Sequence, residues 1–308
     1  MNTIAPLGPR PNPVPLRERL VSYLLLTPVF FLATAFFGSL ALAASLFEKD
    51  GRRQHRIAQA WARVSVALSG AEVTVLNGER LKAQPAVYVS NHLSYMDTPV
   101  LFSALKFQFR IVAKSGLLKV PFIGWWLRRS GQVSVDVGNP RASIASLASA
   151  VRTLKGGMPL VIFPEGGRME SGEPGKFLKG PAFMAIRAQV AVIPMALIGT
   201  YEILPGHSTV VHPAPVRLVV GEEIGTRGMT IRQVEELTTR LEEAVAALYY
   251  EHSWRKKPAD LVARPGNAVA VRSPAPHNSI SNPTLDVGSL EEGTISRNLH
   301  ETEGARRP

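Results

Sequence analysis

The sequence predicts an α/β fold with a mostly parallel central sheet flanked by helices, preceded by an N-terminal membrane-anchoring helical segment. Three observations predict it. From Val73 onward, short apolar runs alternate with segments whose apolar residues recur at helical spacing. Ahead of them, residues 20–47 contain no charged side chain. A hydrophobic fraction of 45% in 308 residues is ample for a packed core. These features divide the chain into an irregular N-terminus (1–18), a membrane-anchoring helical region (19–69), an α/β domain (70–256) and a disordered tail (257–308).

Taken in order, residues 1–18 are rich in proline. Residues 20–47, as one helix rising about 1.5 Å per residue, reach roughly 42 Å, more than a bilayer's hydrocarbon core of about 30 Å. Pro28 and Gly38 are places where that run can kink or divide, so a re-entrant hairpin in one leaflet and a single span both stand. Arg10, Arg17 and Arg19 before the run, and Lys49, Arg52, Arg53 and Arg56 after it, suit two cytosolic ends. The apolar run is too long for a cleaved signal peptide. Residues 52–68 form an amphipathic helix with Ile57, Trp61, Val64 and Leu68 on one stripe, facing either the core or a membrane surface.

Strands are expected at 73–76, 86–90, 110–113, 133–137, 160–163, 190–197 and 216–220. Between the fourth and fifth lies a helix capped by Asn139, with Pro140 in its first turn. Its buried stripe is Ile144, Leu147, Val151 and Leu154, and Gly156-Gly157 end it. A last helix over 230–250 places Val234, Leu237, Leu241, Val245 and Leu248 on one side. Some antiparallel pairing is expected near the end of the sheet. Beyond Lys257 the composition turns to Pro, Ser, Asn and Gly without periodicity, too little apolar area to offset the entropy of ordering.

The net charge of +11 and a pI near 10.2 favour anionic partners, nucleic acid or acidic lipid. No nucleic-acid motif is present, and the apolar N-terminus favours lipid. Cysteine is absent, which excludes disulfides, cysteine-ligated zinc and a thiol nucleophile. There is no Gly-x-Ser-x-Gly elbow and no His-Glu-x-x-His. Gly172-Glu173-Pro174-Gly175-Lys176 has the wrong spacing for a phosphate-binding loop and runs into Phe177.

Two segments carry chemistry. Asn91-His92-Leu93-Ser94-Tyr95-Met96-Asp97 follows a strand and sets an imidazole five residues from a carboxylate. Histidine titrates near neutrality and suits removal of a hydroxyl proton. A carboxylate on its other nitrogen would fix the tautomer and stabilise the imidazolium. In a continuous helix the two side chains would stand about 140° apart, so pairing requires the chain to bend at His92 and the helix to start nearer Ser94. Ser94-x-x-Asp97 is equally a capping box. The second segment, Phe163-Pro164-Glu165-Gly166-Gly167-Arg168, ends another strand in a permissive turn. Arg168 there can offer a planar fork to phosphate oxygens, and Glu165 either orients it or meets a glycerol hydroxyl. The plain alternative is a tight turn with a surface ion pair. Lys114, closing a third strand, is a second cation within possible reach of the same phosphate. Trp125-Trp126 before Arg128-Arg129 reads either as an interfacial anchor or as one core tryptophan with a solvated pair.

Over residues 85–200, four blocks in order resemble the glycerolipid acyltransferases of the lysophosphatidic acid acyltransferase type. They are Asn91 to Asp97, Ala113-Lys114-Ser115-Gly116-Leu117-Leu118 leading into Pro121-Phe122-Ile123-Gly124, Phe163 to Arg168, and Val192-Ile193-Pro194-Met195. Phe177-Leu178-Lys179-Gly180-Pro181-Ala182-Phe183 resembles the segment that trails the third block. The resemblance implies transfer of a fatty acyl group from acyl-CoA or acyl carrier protein to a lysophospholipid, 1-acyl-sn-glycerol-3-phosphate, giving phosphatidic acid. It implies no cofactor or metal; the missing nucleic-acid motif argues against a nucleic-acid partner, and the apolar run with its basic flanks argues for a membrane location with the active site on the cytoplasmic face. It also implies His92 as base, Asp97 as its partner, and Lys114, Glu165, Gly166 and Arg168 at the acceptor. Two departures stand out: Val137 where many members have arginine, with Arg141 a turn further on, and Gly167 in place of threonine. The alternatives are glycerol-3-phosphate or another lysolipid as acceptor, or an inactive lipid-binding relative.

Overall fold

The computed structural model describes residues 7–48, 50–135 and 140–258. The strands are β1 (Glu72–Leu76), β2 (Val87–Ser90), β3 (Arg110–Lys114), β4 (Val133–Val135), β5 (Leu160–Ile162), β6 (Val192–Ile198) and β7 (Pro215–Val220). They form one sheet in the order β1-β7-β6-β2-β5-β3-β4. Every neighbouring pair is parallel except β6–β7. The helices are α1 (Leu16–Val21), α2 (Thr27–Ala44), α3 (Arg52–Leu68), α4 (Asp97–Ala104), α5 (Ile123–Arg129), α6 (Pro140–Lys155), α7 (Gly180–Ala188), α8 (Thr200–Ile203) and α9 (Val234–His252).

β2 lies at the centre and is buried along its whole length, as a strand covered on both faces must be. Its side chains alternate between two cores. Tyr88 joins Phe102, Phe109 and Leu127 on one face; Val87 and Val89 join Leu154, Ile186 and Leu241 on the other. The alternation of short apolar runs with helical ones is thus the trace of a sheet sandwiched between helical layers. At the C-terminal end, Thr230 and Gln233 close a capping box on the single 3₁₀ turn that leads into α9.

Three expectations need correction. Residues 16–44 form one uninterrupted helical run of 29 residues, so the run is not folded into a hairpin at Pro28 or Gly38. Pro28 is accommodated by a wider π turn over Ser22–Leu26, which opens the ladder where proline's ring would collide with the preceding turn. In α3 the buried residues are Gln54, His55, Ala62 and Ser65, not the expected apolar stripe, and Val64 is exposed. α3 packs between α2 and α4, so small residues admit the neighbouring helices while polar ones cap loose carbonyls. Gln59 Nε2 donates to Leu105 O at 2.8 Å, and His55 Nε2 lies 3.1 Å from Phe107 O. Burial among Phe102 and Phe109 pushes the His55 imidazole down to about 4. In α6, Ala150 and Leu154 are buried while Ile144 is exposed. The N-terminal segment carries no regular structure over residues 7–15; α1 begins at Leu16, and Leu7 packs against the cluster that contains Leu93, Ala196 and Tyr249. Asn139 and Val137, the side chain of Arg141 and the tail beyond residue 258 lie outside the described residues.

Candidate active site

In register, Val89 of β2 and Val112 of β3 flank Ile162 of β5. The three parallel strands therefore end at one edge, and the loops after their carboxyl ends meet there, the usual place for a site on an open α/β sheet. His92 follows β2, Lys114 closes β3, and Glu165 to Arg168 follow β5.

Asn91 sets the first loop. Its side chain is buried, donates to Leu197 O at 2.8 Å and accepts from Leu197 N at 2.8 Å, so an amide continues the ladder between β2 and β6 for one more residue. The chain then bends, and α4 begins only at Asp97. That bend meets the condition for pairing: His92 Nδ1 lies 2.8 Å from Asp97 Oδ2. The same oxygen accepts the main-chain N–H of Leu93 at 2.7 Å and of Ser94 at 2.8 Å. The cap reading and the histidine pairing are therefore not rivals; one carboxylate oxygen does both. Ser94 Oγ turns to Met96 N and to Leu204 O instead. Asp97 is wholly buried, and its Oδ1 has no hydrogen-bond partner. An ionised carboxylate only accepts, so Nδ1 carries the proton and Nε2 is the ring nitrogen left with a lone pair. Phe163 stacks on the imidazole at 4.0 Å between centroids and an angle of 12°.

Glu165 stands elsewhere than expected. Its Oε2 accepts from His92 N at 2.8 Å and its Oε1 from Gly175 N at 3.0 Å. It has no ion pair with Arg168. Instead it ties the loop after β5 to the histidine's own backbone, helped by Met169 N donating to His92 O at 2.9 Å. Burial raises this carboxyl to about 8, against the two N–H donors that lower it. Gly166 takes φ = +72°, a left-handed conformation that costs glycine little.

Arg168 is exposed and its guanidinium carbon lies 3.9 Å from the centre of the Tyr95 ring, a cation–π contact. On another side is Gly206, where a side-chain carbon would come within 3.1 Å of Arg168 Nε. Tyr95 and Gly206 were not foreseen from the sequence; the ring was legible only as a spacer inside the first motif. The loop bearing Gly206 is pinned to the N-terminal segment. Arg10 donates to Ile203 O and Val210 O at 3.2 and 2.6 Å, Glu18 Oε2 meets His212 Nδ1 at 2.7 Å, and Ser22 exchanges hydrogen bonds with the main chain of Val211.

His92, Tyr95, Lys114, Gly166 and Arg168 all line one cavity of ≈ 830 Å³. Asp97 and Glu165 are not among its lining residues. The rest of the wall is mostly apolar, including Phe30 and Phe37 of α2, Trp61 of α3 and Met184 of α7. Lys114 and Arg168 have no carboxylate partner among the described residues. A base with a fixed tautomer, two unpaired cations and an apolar chamber are thus brought together. Among the described residues no group of three or more His, Asp or Glu side chains is arranged to hold a metal ion.

Comparison with known proteins follows the same lines. Residues 72–198 match the family described as Acyltransferase. The chain is 34% identical over 183 residues to the chloroplastic 1-acyl-sn-glycerol-3-phosphate acyltransferase of Arabidopsis thaliana, covering 58% of this chain and 51% of that one. It is 30% identical over 237 residues to the 1-acyl-sn-glycerol-3-phosphate acyltransferase of Pseudomonas aeruginosa, covering 74% and 91%. The chain spans about half the length of the Arabidopsis and Brassica napus relatives. Among solved structures, the 1-acyl-sn-glycerophosphate acyltransferase PlsC from Thermotoga maritima superposes with a TM-score of 0.63 at 26% identity, over 75% of this chain and 95% of that one.

Proposed function

Since the chain belongs to the 1-acyl-sn-glycerol-3-phosphate acyltransferase family, we propose that it moves a fatty acyl group from an acyl thioester to the free hydroxyl of 1-acyl-sn-glycerol-3-phosphate, giving phosphatidic acid. The observation that carries this reading is the 2.8 Å pairing of His92 with Asp97 beside a cavity shared with Lys114 and Arg168.

In this mechanism His92 Nε2 takes the hydroxyl proton as the oxygen attacks the thioester carbonyl. Buried Asp97 stabilises the imidazolium and holds the ring plane. When the tetrahedral centre collapses, the C–S bond breaks and the departing thiolate takes the proton back from His92. No side chain is acylated along the way. Lys114 and Arg168 bind the acceptor's phosphate, Arg168 as a planar fork and Lys114 as a point charge. Glu165 acts through the backbone it holds, and Gly166 lets the turn close. The apolar wall takes the hydrocarbon chains.

We assign bilayer attachment to residues 19–69 and catalysis to 70–256. The helical run Leu16–Ala44 has a mean hydropathy of 2.1 in its most apolar window, only 6% of which is buried inside the protein; its length and composition suffice to cross a membrane. The basic residues at both ends of the run support a catalytic side facing the anionic cytoplasmic leaflet. The test is acyl transfer by purified protein with one labelled donor, as CoA and as carrier-protein thioester, against a panel of acceptors. Formation of labelled phosphatidic acid, lost in His92→Ala, is expected. Transfer only to acceptors lacking phosphate would overturn the acceptor assignment.

A further inference from the structure

The outward side of α5 carries Trp125, Arg128 and Arg129, spaced so that they share one helical face, while Gly124 and Leu127 are buried. The adjacent tryptophans divide their labour: Trp126 packs against Phe102 at 5.9 Å, whereas Trp125 is 46% exposed. α5 is pressed onto α2. Phe122, just ahead of it, takes φ = 59°, a costly conformation for an aromatic residue. Its Cβ sits so close to Gly38 that a side-chain carbon there would meet it at 2.9 Å. The Phe122 ring meets Trp125 edge-on at 5.2 Å.

Between this face and the last turn of α2 lies a cavity of ≈ 450 Å³, lined by Leu42, Leu46, Trp125, Arg128 and Arg129 among others. Leu118 O accepts from Arg128 Nη2 at 2.9 Å and fixes that guanidinium. Neither arginine has an ion pair among the described residues, while the nearby acids Glu48 and Asp50 are paired with Arg53 and Arg52. The carboxyl end of α2 opposes an anion here, so two cations are needed where one would be weak. The exposed Phe36, Leu40 and Leu46 continue the apolar surface along α2 to this point.

We propose that this second cavity is a headgroup site for an anionic phospholipid of the surrounding bilayer. The phosphodiester lies between Arg128 and Arg129, the Trp125 indole at the depth of the glycerol, and an acyl chain along Leu42 and Leu46. The apolar part of the lining selects a lipid over a free phosphate. The proposal rests on the reading that α2 sits in a bilayer.

The test reconstitutes the full chain in nanodiscs and measures tryptophan quenching by lipids brominated near the headgroup, phosphatidylglycerol against phosphatidylcholine. A preference for phosphatidylglycerol of about 25-fold is expected, about fivefold for each arginine. Arg128→Gln with Arg129→Gln should reduce it to within about twofold, and Trp125→Phe should remove most of the lipid-dependent quenching. The double lysine variant, Arg128→Lys with Arg129→Lys, should keep most of the preference, which separates lost charge from lost folding. Acyl transfer in detergent should be unchanged in all three. Equal quenching by both lipids in the parent protein, or a preference that survives the double glutamine variant, overturns the headgroup site. A preference abolished by millimolar inorganic phosphate makes it a soluble-anion site and overturns the lipid assignment. Quenching by neither lipid defeats the bilayer reading itself.

Discussion

The turn after β2 and the cations beside it are built in opposite ways. His92 and Asp97 are held in place by a single carboxylate oxygen on which three donors converge, with no solvent at the acid. Lys114 and Arg168 stand exposed, held by no carboxylate, with Arg168 resting on an aromatic face. The difference teaches where pre-organisation is needed. A proton must be taken within hydrogen-bond reach, and a small misplacement costs orders of magnitude. On the proposed reading, a doubly charged phosphate finds flexible cations readily, and pairing them with protein acids would only have to be undone on binding.

The strongest way to break this contrast is at the committed turn. His92→Ala should lower kcat by about 10²–10⁴. Asp97→Asn is more informative. The N–H groups of Leu93 and Ser94 draw the amide oxygen into the place of Oδ2, so the ring keeps its orientation and only the charge is lost, a drop of about 10³ in kcat. Asp97→Ala should fall further. Equal kcat in the two Asp97 variants would show that the main-chain tie contributes nothing.

Next in size is a pH effect on stability through Glu165, which bridges the two regions. Its carboxyl titrates near 8 when folded and near 4.5 when free. The folded state therefore binds more protons between those values, and stability is fully present below 4.5 and lost as pH rises towards 8. The loss is at most about 5 kcal/mol. Denaturant melts at pH 5 and pH 8 should differ in this direction for the parent protein, and the Glu165 contribution should vanish in Glu165→Gln. An unchanged slope in that variant would place the titration elsewhere.

The exposed cations should yield smaller effects, confined to acceptor affinity. Arg168→Ala should raise the acceptor KM about 10- to 100-fold, the worth of one charge-assisted contact, with little change in kcat. A matching fall in kcat would move Arg168 into the committed half of the site. Tyr95→Leu should raise the same KM only about two- to fivefold, and Tyr95→Phe should not, because the ring face and not the hydroxyl seats the guanidinium.

All seven strands were legible as short apolar runs bounded by turns, most plainly β2, β5 and β6, which are buried along their whole length. His92 and Asp97 were legible as a pair because five residues separate them, Lys114 because it closes such a run and Arg168 because it stands in the turn that follows one. What could not be read was anything whose partner is main chain far away. Glu165 looked like a companion for Arg168, three residues on, yet it holds the N–H of His92, 73 residues back. Asn91 was only a flanking letter until Leu197 supplied its partner, 106 residues away. Hydrophobic periodicity also misjudged α3, since a helix wedged between two others needs small residues at the contact and can bury His55 and Gln54 to cap carbonyls. Ile144 failed for the reverse reason: periodicity assigns a face but not how far along the helix its cover extends.

The contacts of Arg10, Glu18 and Ser22 with the loop from Ile203 to His212 bear on how this protein can be shortened. Trimming the first forty-odd residues to obtain a water-soluble version would remove more than a greasy handle. It would unbolt the floor on which Gly206 supports Arg168, so such a version would bind its acceptor loosely even where its proton chemistry survived intact.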